Sequence, residues 1–334
     1  MATTQDCSIG IVNEATYGTV VTPTRFLEFT SETLDYRKNV VQGKGLRVGS
    51  RVARSGRRVV TTADAGGDIT MECISKGMGL LWAACLGTGV SSQDGVTTTY
   101  QQNFTLGDTP TSLTVQKGVP RASGTVDAYT YTGAMVDNWE FSFANADIPM
   151  LKVSLDCKDV STATAYAAPS YAAGANLFSF AGASLSTGTL TAPTATVIAS
   201  AATPVANVRG GSIQCNNNIR GDRYNIGASG RKQKPTVGLR EISGKLDVEY
   251  DGTVFRDAVL NETPMSLVLT YTGAALSSGS ETLQVVLPEV KIDNELPKSN
   301  AGDLIMQSVN FSVLDNLAAA QPIWVVMRTA DTAL

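Results

Sequence analysis

The side chains best equipped for chemistry in this 334-residue sequence are carboxylates. Asp147 with Asp156, and Asp293 with Glu295, lie close enough in sequence to be weighed as the acid and base of a hydrolase. No histidine is present, which removes Ser-His-Asp and Cys-His arrangements, histidine-containing zinc sites and the imidazole base together. Cys7, Cys73, Cys85, Cys157 and Cys215 are odd in number and form no CxxC, so they signal neither a metal knuckle nor a disulfide framework. Buried free thiols in a reducing compartment are expected instead. Gly43-Lys44-Gly45-Leu46-Arg47-Val48-Gly49 lacks the spacing and the Lys-Ser/Thr ending of a phosphate-cradling loop. Acids in strands and turns are ordinarily solvated, so the sequence reads as a non-enzyme with no cofactor and no metal.

The elements that would position these residues are mostly strands. Asp68–Cys73, Asn138–Phe143 and Lys245–Tyr250 alternate polar and apolar residues, the pattern of half-buried strands. Ser112–Val115, Ala128–Tyr131, Leu151–Cys157, Ile213–Cys215, Ser266–Tyr271, Glu281–Lys291, Asp303–Val313 and Ile323–Arg328 are further candidates. Two stretches suit helices. Ile74–Leu86 places Ile74, Met78, Leu81, Cys85 and Leu86 near one face, and Thr253–Asn261 does the same with Phe255, Val259 and Leu260. The longest apolar run, Met78–Leu86, is far short of the ~20 residues that span a bilayer, and Met1–Gly10 lacks a signal-peptide pattern. A soluble chain made in a cytoplasm is expected. Residues 160–208 carry no charge and are rich in Ala, Ser and Thr. Tyr166, Tyr171, Leu177, Phe178 and Phe180 give this segment too much apolar weight for a solvated linker, so it is expected to pack along its neighbours, with short strands around Leu177–Phe180 and Thr194–Ser200.

Net charge is only −4, yet the basic residues are clustered. Arg37, Lys38, Lys44, Arg47, Arg51, Arg54, Arg57 and Arg58 form one acid-free stretch, punctuated by glycines and read as an irregular loop over 37–65. Arg220, Arg223, Arg231, Lys232 and Lys234 form a second, in a loop over 219–240 whose one acid is Asp222. A nucleic-acid arm is weakened by the scarcity of aromatics for base stacking, Tyr36 being the one nearby. Long loops are expensive to order unless something holds them. An acidic face on a neighbouring copy is the favoured partner, since the rest of the chain is acidic.

The two stretches precede similar units. Gly66-Gly67-Asp68-Ile69-Thr70-Met71-Glu72-Cys73 and Ser243-Gly244-Lys245-Leu246-Asp247-Val248-Glu249-Tyr250 are separated by a constant 177 positions, and each leads into a short helix. Ser112–Val115 matches Ser266–Leu269, and Met150–Leu155 matches Met306–Phe311 in alternation. A tandem duplication is read from this order: a first domain over 1–160, a connecting segment over 161–206 and a second domain over 207–334.

Asn13-Glu14-Ala15-Thr16-Tyr17-Gly18-Thr19 and Pro23-Thr24-Arg25-Phe26-Leu27-Glu28-Phe29 resemble the opening of the tail tube proteins of bacteriophages with long non-contractile tails. Gly45-Leu46-Arg47, Arg51-Val52, Arg54-Ser55, Gly66-Gly67-Asp68-Ile69 and Lys76-Gly77-Met78-Gly79-Leu80-Leu81 continue the likeness. So do Pro169-Ser170-Tyr171, Phe178–Ala183 and Val290–Leu296, so that it runs through nearly the whole chain. Asn216-Asn217-Asn218 departs from the family's Asp-Asn pair and weakens the register there. The resemblance implies a mainly β chain of two tandem β-sandwich domains, each with one short flanking helix, whose inner sheets close into an inter-subunit β-barrel. It implies a structural virion protein, the major tail tube subunit, made and assembled in the host bacterial cytoplasm and ending in the virion tail. Its partners would be itself, as trimeric pseudo-hexameric rings (hexamers as the alternative), with tape-measure and tail-end proteins. DNA would pass through the lumen without specific binding. Arg47, Arg51, Arg54, Arg57 and Arg58, with Arg223 and Arg231, would form ring-to-ring contacts. Asp68, Glu72, Asp247 and Glu249 are candidates to line the lumen, because a DNA conduit should repel phosphate. A β-rich carbohydrate- or surface-binding virion module is the rival reading. It would need an exposed aromatic platform, whereas Trp82, Trp139 and Trp324 all sit in apolar segments.

Overall fold

The computed structural model describes residues 3–293, 296–297 and 304–334. Among these the chain is mainly β. Its first half holds β1 (Ser8–Asn13), β2 (Arg25–Leu27), β3 (Phe29–Glu32), β4 (Asp35–Gln42), β5 (Arg58–Glu72), helix α1 (Gly79–Leu86), β6 (Gly87–Gln93), β7 (Tyr100–Leu106), β8 (Leu113–Pro120), β9 (Val126–Phe143), β10 (Met150–Cys157) and β11 (Asp159–Ser161). The middle supplies β12 (Ala183–Thr191) and β13 (Ser200–Val205). The second half holds β14 (Val208–Asn216), β15 (Glu241–Glu249), helix α2 (Val254–Asn261), β16 (Met265–Ala275), β17 (Ser280–Ile292), β18 (Met306–Val313) and β19 (Trp324–Thr329).

Antiparallel pairing links β4, β5, β10, the C-terminal part of β9, β14, β15 and β18 into one sheet that crosses from the first half to the second. Against it stand β2-β1-β8-β9-β11 in the first half and β13-β12-β16-β17-β19 in the second, where β19 also pairs with β7 of the β6–β7 hairpin from the first half. The 18-residue β9 belongs to both layers. It turns between them at Gly133, where φ is 60° and an added Cβ would lie 2.8 Å from the Tyr17 ring, leaving no room for a side chain. β17 does the same around Pro288, where no N–H is needed between its pairings with β19 and β18.

The core fills the space between the layers. Ile69 and Met71 of β5, Trp139 and Phe141 of β9 and Leu151 and Val153 of β10 are buried in the same cluster as Leu246 and Val248 of β15 and Tyr271 of β16. The halves therefore share one core. Trp82 of α1 meets Trp139 edge-to-face at 5.6 Å. Near the N-terminus Glu14 is buried and accepts four hydrogen bonds, from the Gly18 and Gly133 N–H groups and the Ser112 and Thr114 hydroxyls. It ties the opening motif to β8 and to the turn in β9.

Several expectations change. Arg37–Gln42 is strand, paired with Arg58–Asp64, so the first basic stretch is a β-ribbon tipped by a shorter loop over 43–57. Glycines mark only its tip. Helix α1 begins at Gly79, and Ile74 instead bridges to Leu177. The helix is buried on nearly every side because β9 and the β6–β7 hairpin enclose it. Helix α2 buries Phe255 and Ala258 while Leu260 is exposed. The uncharged middle is part of the second layer, with β12 paired to β16 and Phe178 buried, and its strands fall at 183–191 and 200–205. Strands β1 to β4, β6 and β7 were hidden by short length or by polar, glycine-rich composition. Asp303 and Glu295 lie outside the described residues. Cys73, Cys85, Cys157 and Cys215 are buried free thiols, and burial pushes the Cys215 thiol up to about 12.

Candidate subunit-contact surfaces

One side of the crossing sheet faces the core and the other is polar. Because cross-strand neighbours share a face, Thr70, Lys152, Glu140, Gln214, Ser243 and Ser312 form a continuous row over six strands. Asp68 and Glu72 flank Thr70 by two positions, and Asp247 and Glu249 follow Ser243 in the same alternation. All four candidate lining acids thus lie on the one polar face. Lys152 pairs with Asp68 at 2.8 Å, Lys245 with Asp247 at 2.9 Å and Arg209 with Glu249 at 3.1 Å. Glu72 has no cation beside it among the described residues. Partial burial opposes ionisation of Asp68, but hydrogen bonds from Lys152 and the Ser154 hydroxyl outweigh it and hold the carboxyl below the usual aspartate range. The face is hydroxylic, amidic and net acidic.

The two basic inserts behave differently. Counted from equivalent ladder pairs, Arg37 with Asp64 and Asn216 with Glu241, they span 26 and 24 residues. The second folds back onto the first half. Lys232, with its side chain only 7% exposed, bridges Asp64 and Asp156, and Arg231 pairs with Asp159 at 2.8 Å while lying over the Tyr36 ring. The Gly230 carbonyl accepts from the Ala63 N–H, and the Tyr224 hydroxyl donates to the Ala63 carbonyl. Burial disfavours the charge on Lys232, but hydrogen bonds to Asp156 and Asp64 prevail and raise its pKa. Arg223 donates to the Lys234 carbonyl inside the insert. Arg231 is therefore engaged within the chain.

The first insert projects. Arg47, Arg51, Arg57 and Arg58 are exposed and Arg54 is half-exposed, and none of the five meets a carboxylate among the described residues. Leu46, Val48 and Val52 are exposed beside them. Asp147 and Asp156, weighed for catalysis, do not converge. Asp147 precedes β10 and Asp156 is near its end, on the order of 20 Å along the strand, and Asp156 is held by Lys232.

Comparison with known families bears on what such surfaces serve. The family model for phage tail tube proteins matches residues 4–313 of the chain. The chain belongs to that family. No curated protein matches it. This tail tube protein is thus a structural component of the virion tail, one that assembles with itself into a tube. Among its described residues no helix is long and apolar enough to cross a membrane. The sequence pointed to the basic inserts and to the polar acids, but not to Lys232 as the latch or Glu14 as the N-terminal clamp. A lysine beside an arginine looks like any solvated pair, and its two acids are separated from it by 168 and 76 positions.

Proposed function

We propose that the tail tube protein forms rings of three chains that stack into a hollow conduit for genomic DNA, each chain supplying two equivalent tube units. The units are 1–160 and 207–334, and 161–206 both connects them and adds β12 and β13 to the second layer beside β16. The observation that carries this reading is the repetition of strand register. Glu72 pairs with Met150 and Glu249 with Met306, and the two ladders stay in step through Gly67 with Leu155 and Gly244 with Phe311. The β8–β9 and β16–β17 hairpins repeat likewise, Val115 with Tyr131 and Leu269 with Val285, a step of 154 on both strands. Even a cross-strand Gln–Thr hydrogen bond recurs with its partners exchanged, Gln116 to Thr130 and Gln284 to Thr270.

The pairing of β9 with β14 supports the rest of the proposal. It already joins the two units edge to edge, and repetition of that junction between chains would remove the remaining edges and close the sheets into an inter-subunit barrel. The polar face of the sheet lines the channel, with Asp68, Glu72, Asp247 and Glu249 keeping it net acidic, so that DNA passes without binding. The projecting basic insert contacts other copies. Tape-measure and tail-end proteins meet the ends of the tube, and assembly takes place in the host bacterial cytoplasm. Six chains per ring is the alternative stoichiometry, favoured by no observation here. Electron microscopy of concentrated purified protein tests the function: hollow tubes of uniform width are expected, and monomers at every concentration, with tail-initiation components added, would overturn it.

A further inference from the structure

The two inserts differ in one respect that matters: the second docks within its own chain, whereas Arg47, Arg51, Arg54, Arg57 and Arg58 of the first meet no carboxylate among the described residues. Equivalence of the units identifies the missing surface. Asp64 and Asp156, which hold the second insert, correspond by ladder position to Glu241 and Ser312, and Asp159, three residues past Asp156, corresponds by the same sequence step to Asp315, three past Ser312. Ser312 in turn donates to Asp293, so the corresponding patch on the second unit carries Glu241, Asp293 and Asp315. All three acids are exposed and none is ion-paired among the described residues. Leu239, which corresponds to Thr62 and lies two residues before Glu241, is exposed and gives the patch an apolar side chain. The step of 177 that relates the units places Arg54 at the position of Arg231, and Arg57 at that of Lys234.

We propose that the basic ribbon over 37–63 of one chain docks on the Glu241–Asp293–Asp315 patch of the adjacent copy in the ring, in the way the 217–240 insert docks on Asp64, Asp156 and Asp159 within a chain. Arg54 then meets Asp315 as Arg231 meets Asp159. Leu46, Val48 and Val52 supply apolar area for Leu239. The occupant is a second copy because the acceptor patch has its own insert already committed to the first unit of the same chain, and because the charges are complementary: eight basic residues and no acid in the ribbon, and in the patch three acids that are not ion-paired among the described residues. The contact joins neighbours laterally, whereas the sequence alone suggested ring-to-ring ion pairs. The inference rests on the proposed assembly only in requiring a second copy.

Cysteine cross-linking tests it. A chain carrying Ser55→Cys and Asp315→Cys, with the partly exposed Cys7 replaced by Ser and the four buried native thiols left in place, is treated with a short bis-maleimide, both as tubes and as concentrated protein. Covalent dimers and trimers are expected, with peptides spanning the two new cysteines. Only intramolecular or no product, in tubes and in solution alike, overturns the contact. A charge series gives an independent readout. Arg51→Glu with Arg54→Glu should raise the critical concentration for tube growth about tenfold or more, as should Glu241→Arg with Asp315→Arg. The chain carrying all four changes should recover. Unchanged growth in both doubly substituted chains would overturn the proposal, as would failure of the four-fold variant to recover while its circular dichroism and solubility match the parent. If the unaltered chain forms no tubes, the tube reading fails by itself and the cross-link still decides this one.

Discussion

Replacing Lys232 by Met removes a cation from between two acids while keeping most of the buried stem. The side chains of Lys232 and Asp156 are 7% and 18% exposed, so Asp156 would be left as a largely buried, uncompensated charge. Removing one partner of a buried pair costs about 3–5 kcal/mol. Asp64 is 57% exposed and can return to water, which puts the expected cost near the lower end, about 3 kcal/mol. That cost falls on the docked insert before it falls on the core. It corresponds to a rise of roughly a hundredfold in the population of the undocked insert, at tenfold per 1.4 kcal/mol. Limited trypsin digestion read by mass spectrometry measures this, because Arg220, Arg223 and Arg231 offer cleavage sites within the insert. Cuts in the exposed ribbon over 43–57 serve as the internal standard. Adding Asp156→Asn should return much of the protection by removing the orphaned charge. A cleavage rate for Lys232→Met within about threefold of the parent would refute the latch, since so small a change is less than about 0.7 kcal/mol.

Glu14→Ala strands two hydroxyls and two backbone N–H groups, and should destabilise the chain by about 3 kcal/mol or more, read as a lower urea midpoint. Gly67→Ala should abolish soluble expression: at φ 151° an added Cβ would lie 2.4 Å from the Thr33 carbonyl oxygen, and both positions are backbone. A parent-like urea midpoint for this variant would contradict the reading. The folded pKa of Asp68 lies below its ordinary 3.8, so its contribution is present above that value and lost as pH falls through the lower one. The stability gap between the parent and Asp68→Asn, measured by denaturant titration, should therefore be full at pH 6 and close under acid conditions.

Much of this architecture was legible in the sequence because burial leaves periodic traces. Trp139, Phe141 and Phe143 alternate with polar residues, as do Leu246 and Val248, and each such run is a strand with its apolar side on the core. The proposed repeat rests on the same kind of trace, since Glu72 and Glu249 hold matching places in matching alternations. Elements whose pairing is set by distant partners left no such trace. Arg37–Gln42 looks like loop from its charge, yet it is zipped to Arg58–Asp64 by backbone hydrogen bonds that are indifferent to side-chain type. Residues 183–191 are small and uncharged and read as linker, but β16 offers them an edge. The docked insert was invisible for a related reason. Lys232 is fixed by two aspartates from another unit of the chain, and sequence periodicity carries no information about contacts of that kind. The candidate lining acids were the reverse case: period-two alternation already put each pair on one face, and only the β9–β14 junction was needed to bring the pairs onto the same side of one sheet.

The central claim is that one chain supplies two equivalent units to a closed ring. Cryo-electron microscopy of the tubes, with ring classes averaged without imposed symmetry, tests it most directly. Three chains per ring are expected, each contributing two similar lobes to a continuous inner β-barrel whose lumen displays Lys152, Glu140 and Gln214. Rings of six chains, with residues 207–334 hanging outside the barrel, would contradict it.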